Sequence, residues 1–325
     1  MTAAADSSPA DSSLADSSMN SGGEAMPGPH GLLVIDKPAG MTSHDVVRRI
    51  RKAARTKRVG HAGTLDPMAT GILILGLGRA TRLLGHLALN DKDYTATIRL
   101  GQSTITDDAE GEITESVDAH SITDEAIACG VAELTGQILQ VPSRISAIKV
   151  DGKRSYARVR AGEHVELAAR PVTVSAFDVI GIRRNVPGVV DVDVAVTCST
   201  GTYIRALARD LGEGLGVGGH LVALRRTRVG AFGFDQAQLL DDDLAVEGRV
   251  AEVMVGLDDA VAQAFEQIEV DAEQAVLVLH GRPVEFESAR TWSRASGAVA
   301  VMHQGRALAL MEERGGRLKS VVVFA

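Results

Sequence analysis

The stretch Arg58-Val-Gly-His61-Ala-Gly-Thr-Leu-Asp66-Pro-Met-Ala-Thr-Gly71 constrains this chain more than any other. It places a lone acid, Asp66, in a loop under tight local control. Gly60, Gly63 and Gly71 permit backbone angles closed to other residues. Pro67 fixes its own φ and pushes Asp66 towards an extended conformation, so the acid does not continue a helix. Behind the loop, Ile72-Leu-Ile-Leu75 is a short apolar run that reads as a buried strand. Such an anchored loop suits a carboxylate held at the floor of a pocket. The same spacing also suits a turn in which Asp66 caps backbone N–H groups.

At 325 residues the chain fits one large domain plus a small one, or two comparable domains. No apolar run reaches the roughly 18 residues of a membrane span, and the first residues lack a secretory leader's pattern. Cys129 and Cys198 are too few for a disulfide scaffold or a cysteine zinc site, and both read as buried small hydrophobes. A cytoplasmic protein without metal is the expectation.

The net charge of −8 argues against a nucleic-acid binder until its distribution is inspected. Residues 37–82 hold ten Lys/Arg against Asp45 and Asp66, and residues 144–160 hold six against Asp151. Residues 235–273 carry twelve Asp/Glu against Arg249. Local field rather than the sum decides where a phosphate backbone docks, so a basic face with a distant acidic region fits RNA.

Along the chain, residues 1–28 repeat Ala-Asp-Ser-Ser three times and have too little apolar bulk to fold. Gly31-Leu-Leu-Val-Ile35 reads as the first core strand. Thr42 or Ser43 then caps a helix with Val46, Val47 and Ile50 inward and its arginines outward. Gly76-Leu-Gly78 imitates part of a dinucleotide fingerprint, but the third glycine is missing and a tight strand-to-helix turn is sufficient. Residues 91–100 and 190–196 alternate as half-buried strands, and 126–134 reads as an amphipathic helix. The acidic stretch 235–273 reads as helical. Beyond about residue 268, short strands are expected at 275–279, 298–302, 307–311 and 320–324.

The motif Gly60-His-Ala-Gly-Thr-Leu-Asp66-Pro-Met-Ala-Thr-Gly71 closely resembles the active-site motif of the TruB family, tRNA pseudouridine synthases that act on the T-loop uridine. Asp36-Lys-Pro-Ala-Gly-Met-Thr-Ser43, Cys198-Ser-Thr-Gly-Thr-Tyr-Ile-Arg205 and residues 218–230 extend the resemblance over most of 31–230. It implies an α+β pseudouridine synthase fold with a mixed, largely antiparallel central sheet over residues 29–240. An RNA-gripping insertion would fall at about 140–162, an acidic helical connector at 241–267, and a small PUA-like β-barrel at 268–325.

By the same resemblance Asp66 is the catalytic acid, Arg205 its partner and Tyr94 the ring that packs on the target base. His61 occupies the space of the flipped nucleotide, while Tyr203 and Leu224 line the pocket. Lys37, Lys149, Lys153, Arg154, Tyr156, Arg158, Arg225 and Arg226 are the candidate RNA contacts. The implied partner is the tRNA T stem-loop, bound by a monomer without cofactor. Uridine-to-pseudouridine conversion neither gains nor loses electrons, so it calls for no redox group. Two other readings share the basic cleft: a non-catalytic RNA-binding or tRNA-folding protein, and a hydrolase of RNA or nucleosides. The first makes Asp66 dispensable; the second changes the mass of the RNA.

Overall fold

Two strands without alternation, Gly31–Lys37 and Thr70–Leu77, are buried on both faces, as continuous apolar runs require. Lys92–Leu100 and Val190–Cys198 alternate buried with less buried residues. In the computed structural model, which describes residues 28–143, 149–150, 153–154, 168–282, 284, 297–314 and 317–324, these strands share one ten-stranded sheet. Its main path runs Gln238–Leu239, Gly31–Lys37, Thr70–Leu77, Gly219–Val229, Lys92–Leu100, Val190–Cys198, Arg170–Arg183, Gly136–Gln140. Val59–Ala62 pairs beside Thr70–Leu77, and Val255–Gly256 beside Gly31–Lys37. The sheet is mixed and largely antiparallel. Its two halves meet in a short parallel contact, Arg225 with Thr70 and Arg226 with Gly71.

Helices cover one face. Ser43–Ala53 starts with a reciprocal capping box between Thr42 and Asp45, and buries Val46, Val47 and Ile50. Asp124–Glu133 and Ile204–Gly214 pack into the same core. Against the opposite face, Leu32, Val34, Ile72 and Ile74 share a core with Phe265, Ala300, Met302, Leu310 and Phe324. The C-terminal region therefore packs directly on the main sheet. Arg79 and Arg82 reinforce the junction by donating to the carbonyls of Phe324 and Val323.

The described C-terminal strands form a four-stranded sheet of Glu266–Glu269, Ala298–His303, Arg306–Glu313 and Leu318–Val323. One expected strand is a helix. Residues 275–279 lie in Ala272–Leu279, which Asp271 and Gln274 open with a capping box and which buries Ala275 and Val278. The acidic stretch is not one helix either. Gly248 (φ 85°) and Gly256 sit at the N-caps of the short helices Arg249–Val253 and Leu257–Ala264. Between and before these helices, Val255–Gly256 and Gln238–Leu239 add to the main sheet.

Nor is the acid remote from the base: Arg49 pairs with Asp242 at 3.0 Å and Arg55 with Glu247. The acidic segment thus neutralises part of the basic helix, which shrinks the basic face read from the sequence. Cys198 is buried as expected, whereas Cys129 is exposed on its helix. No helix among the described residues is long and apolar enough to cross a membrane.

Candidate active site

Asp66 sits in the loop between Val59–Ala62 and Thr70–Leu77, where Leu65 and Ala69 are buried in the core and a set of polar contacts fixes the backbone between them. The Ser43 hydroxyl accepts from the Leu65 N–H at 2.9 Å and donates to the Leu65 carbonyl at 3.1 Å. The Gly40 N–H donates to the Pro67 carbonyl. Lys37 is fully buried, and its ammonium donates to the carbonyls of Met41 (2.6 Å), Pro38 (2.9 Å) and Pro67 (3.3 Å). Arg226 is buried too, donating to Ile72 (2.7 Å) and Gly63 (3.0 Å) carbonyls. Gly71, at φ 100°, closes the arrangement: a Cβ there would lie 2.1 Å from the Arg226 carbonyl oxygen. Only glycine fits that approach.

Two sequence expectations are corrected here. Lys37 spends its donors on loop carbonyls inside the protein, while Arg226 is buried on the carbonyls of Ile72 and Gly63 and turns the rest of its guanidinium to the cavity beside Tyr94 rather than to an outer surface. Burial pulls the Lys37 amine down to about 8. Lys37→Met is expected to lower folding stability by about 1–3 kcal/mol, since it strands buried carbonyls. The measurement is a urea-unfolding midpoint that falls at constant slope; a lysine whose amine was solvated would leave it nearly unchanged.

Arg205 is the third residue to converge on the loop. It lies in the first turn of Ile204–Gly214, and Tyr203 at the N-cap is held by Gln140, whose amide accepts from its N–H and donates to its carbonyl. The guanidinium approaches Asp66 side-on, with Nε 3.1 Å from Oδ2 and Nη2 3.4 Å from Oδ1. Its remaining Nη1 donates to the Thr106 carbonyl (2.9 Å) and to Asp108 Oδ2 (3.2 Å). Asp108 is buried and also accepts from the Thr106 hydroxyl and the Glu110 N–H. Arg205 is therefore shared between two carboxylates. The sequence identified the first but not Asp108, one of several acids in a polar turn with nothing local to single it out.

These groups open onto a cavity of about 280 Å³ walled by Asp66, Tyr94, Tyr203, Arg205, Leu224 and Arg226. The size suits one nucleotide base, and the wall offers a ring, a carboxylate and a guanidinium. Burial raises the Asp66 carboxyl above its ordinary range. Arg205 opposes that rise, Asp108 adds to it and Lys37 opposes it. Burial outweighs the pairing, so Arg205 aims Asp66 without holding it as strongly acidic as an isolated ion pair would. Burial likewise raises the Tyr94 phenol, partly offset by the Arg226 guanidinium hydrogen-bonded beside it. Tyr94 faces the cavity as a neutral ring.

His61 is not in the cavity wall. It packs edge-on against His44 with ring centroids 5.7 Å apart, and its Nδ1 is buried without a hydrogen-bond partner. Burial, then the neighbouring His44 and Arg226 charges, lowers its pKa. Arg225 pairs with Asp36 at 2.7 Å and lies over the Phe234 ring at 4.3 Å, so little of its charge is free. Lys149–Val150 and Lys153–Arg154 form a backbone hairpin. The side chains of Lys149, Lys153 and Arg154, and the whole of Tyr156 and Arg158, lie outside the described residues.

The fold thus brings an Asp–Arg pair and a tyrosine to the wall of one cavity, on a mixed sheet. Comparison with known proteins places the chain. A family model described as "TruB family pseudouridylate synthase (N terminal domain)" matches residues 51–204. Those described as "tRNA pseudouridylate synthase B C-terminal domain" and "tRNA Pseudouridine synthase II, C terminal" match 205–261 and 265–325.

Proteins named tRNA pseudouridine synthase B from Streptomyces griseus and Thermobifida fusca are each 56% identical to this chain, over 91% of it and 98% of their own length. The chain belongs to the TruB family. Among solved structures, an H/ACA RNP bound to a substrate RNA containing 2'-deoxyuridine has the same fold, with a TM-score of 0.66. That likeness has 24% identity over 91% of this chain and 85% of that one. A Cbf5-Nop10-Gar1 complex aligns with a TM-score of 0.64 and 26% identity, over 91% of this chain and 83% of that one.

Proposed function

We propose that this protein converts uridine to pseudouridine in the T-loop of tRNA, at position 55, with Asp66 as the reacting carboxylate. The observation that carries the reading is the side-on Arg205–Asp66 pair at 3.1 and 3.4 Å, set in one cavity with Tyr94. In the reaction the bond from uracil N1 to ribose C1′ breaks, the base turns, and C5 bonds to C1′. The C5 proton leaves and N1 gains one, so atoms and electrons balance. A uridine inside a stacked loop cannot reach the cavity, so the nucleotide is flipped out.

Each residue then has a task. Tyr94 stacks on the extruded uracil, and Tyr203 and Leu224 confine it. Asp66 acts at the sugar, either attacking C1′ or taking a proton beside it. Arg205 fixes the carboxylate so that little reorganisation accompanies the reaction. The basic insertion at about 140–162 and the C-terminal module supply RNA contacts outside the cavity. The protein works as a cytoplasmic monomer.

Incubation with tRNA labelled at the T-loop uridine tests the reading. Pseudouridine should appear at unchanged RNA mass and vanish when that uridine is replaced. Binding without product would favour the tRNA-folding reading, and a change of mass would favour hydrolysis. The pH dependence carries a sign. The reaction needs the ionised carboxylate, and Asp66 titrates above the ordinary aspartate value of 3.8. Activity should therefore fall with decreasing pH along a limb displaced upward from the usual aspartate range. A limb at or below that range would contradict the assignment of Asp66.

A further inference from the structure

The helix Ile204–Gly214 carries a second arginine one turn after the first, at the i, i+4 spacing that puts both on one face. Both reach the same short turn. Arg205 takes the Thr106 carbonyl and Asp108, while Arg209 takes Asp107 at 3.2 Å between them. Arg209 also donates to the Val141 carbonyl (2.8 Å) and pairs with Asp210 (2.7 Å), with Glu213 at 4.0 Å. Asp107 itself lies in the left-handed region at φ 60°, and its carbonyl accepts from the Leu221 N–H of the central sheet. An aspartate tolerates that conformation better than most residues, but it still needs outside support. Arg209 supplies it from the helix side and Leu221 from the sheet side.

We propose that Arg209 is a positioning residue for the Arg205–Asp66 pair, acting through Asp107 and the left-handed turn that carries Thr106 and Asp108. The Arg205 guanidinium is gripped between this turn and the Asp66 loop, so its aim at Asp66 depends on where the turn stands. The partners of the Arg209 side chain, Asp107, Val141, Asp210 and Glu213, include neither Asp66 nor a residue of the cavity wall. Its contribution is to keep one jaw of that grip in register with the helix that bears Arg205. The proposal rests on Asp66 being the reacting carboxylate.

The test uses the full-length protein with carboxyl-labelled aspartate. The titration midpoint of Asp66 is followed by NMR without RNA, and turnover is measured on T-loop RNA. The charged groups facing Asp66 are Arg205 from the helix, Asp108 and Glu110 from the turn, and Lys37 from the first strand. Asp107→Asn is the decisive variant because asparagine keeps the size and tolerates the left-handed backbone. Loss of a nearby negative charge alone would lower the Asp66 midpoint. A slackened grip by Arg205 would raise it.

The expected results are a raised midpoint in both Asp107→Asn and Arg209→Met, and a kcat lower by about 10- to 100-fold at unchanged KM. The double variant should be no worse than the more impaired single one. Arg209→Lys, which keeps the charge but loses the fork, should fall between Arg209→Met and wild type. A lowered or unmoved midpoint in Asp107→Asn would overturn the proposal, as would additive effects in the double variant. The midpoint is read without turnover. An inactive wild type would therefore defeat the functional reading while this readout still decided the role of Arg209.

Discussion

Asp66→Asn is expected to leave the fold and tRNA affinity intact while lowering pseudouridine formation by at least ~10⁴-fold, the scale on which removal of an essential reacting group is felt. Asparagine preserves the shape and leaves Arg205 a carbonyl oxygen to approach, but it offers no negative charge at the sugar. The Ser43, Lys37 and Arg226 contacts that set the loop do not involve the Asp66 side chain, so the backbone has no reason to move. The informative assay is single-turnover conversion with labelled tRNA, run beside a binding measurement. Turnover within tenfold of wild type would remove Asp66 from the chemistry.

Removal of Arg205 should be nearly as damaging to activity and more damaging to the protein. Arg205→Met leaves Asp108 buried without its guanidinium, and loss of one partner of a buried pair costs roughly 3–5 kcal/mol. It also withdraws the main influence opposing the upward shift of Asp66. The acid limb of the pH–rate profile should therefore move to higher pH as kcat falls. Arg205→Lys should recover part of the stability and little of the activity, because one ammonium cannot span Asp66, Asp108 and the Thr106 carbonyl together. Denaturant unfolding and the pH profile, measured on the same preparations, separate the two effects. An Arg205→Met protein as stable as wild type would show that Asp108 is satisfied by its other donors.

How much of this was legible from the chain depended on where each residue's partners lie. The Asp66 loop announced itself through adjacent glycines and a proline, and the alternation around Tyr94 marked its strand. The motifs around Asp66 and Arg205 carried the family resemblance. Lys37 and Arg226 misled because their partners are main-chain carbonyls, which leave no trace in side-chain identity. A buried cation on carbonyls and a solvated cation awaiting phosphate look alike in a sequence. Ser43 was read as a possible helix cap, and its contact to Leu65 spans a sequence separation no local pattern reveals.

The C-terminal helix shows a different limit. Val276-Leu-Val-Leu279 fits a strand or a helix equally, and the deciding signal was Asp271 three residues before Gln274, just upstream. The acidic stretch was judged by composition, yet its glycines broke it into short pieces. Two of its acids then found Arg49 and Arg55. Composition describes charge, whereas only the folded chain says which charges meet.

The short parallel contact between the two halves of the sheet has one further consequence. Asp66 hangs from one side of that joint, while Tyr94, Arg205 and Leu224 belong to the other. Asp66 and Tyr94 are brought to one cavity by chain segments more than 150 positions apart, joined at Thr70 with Arg225 and Gly71 with Arg226. A side chain at position 71 would meet the Arg226 backbone, wedge the joint open and part Asp66 from Tyr94 while leaving both residues in the chain. A glycine outside the cavity wall thus keeps the two halves of the sheet in register.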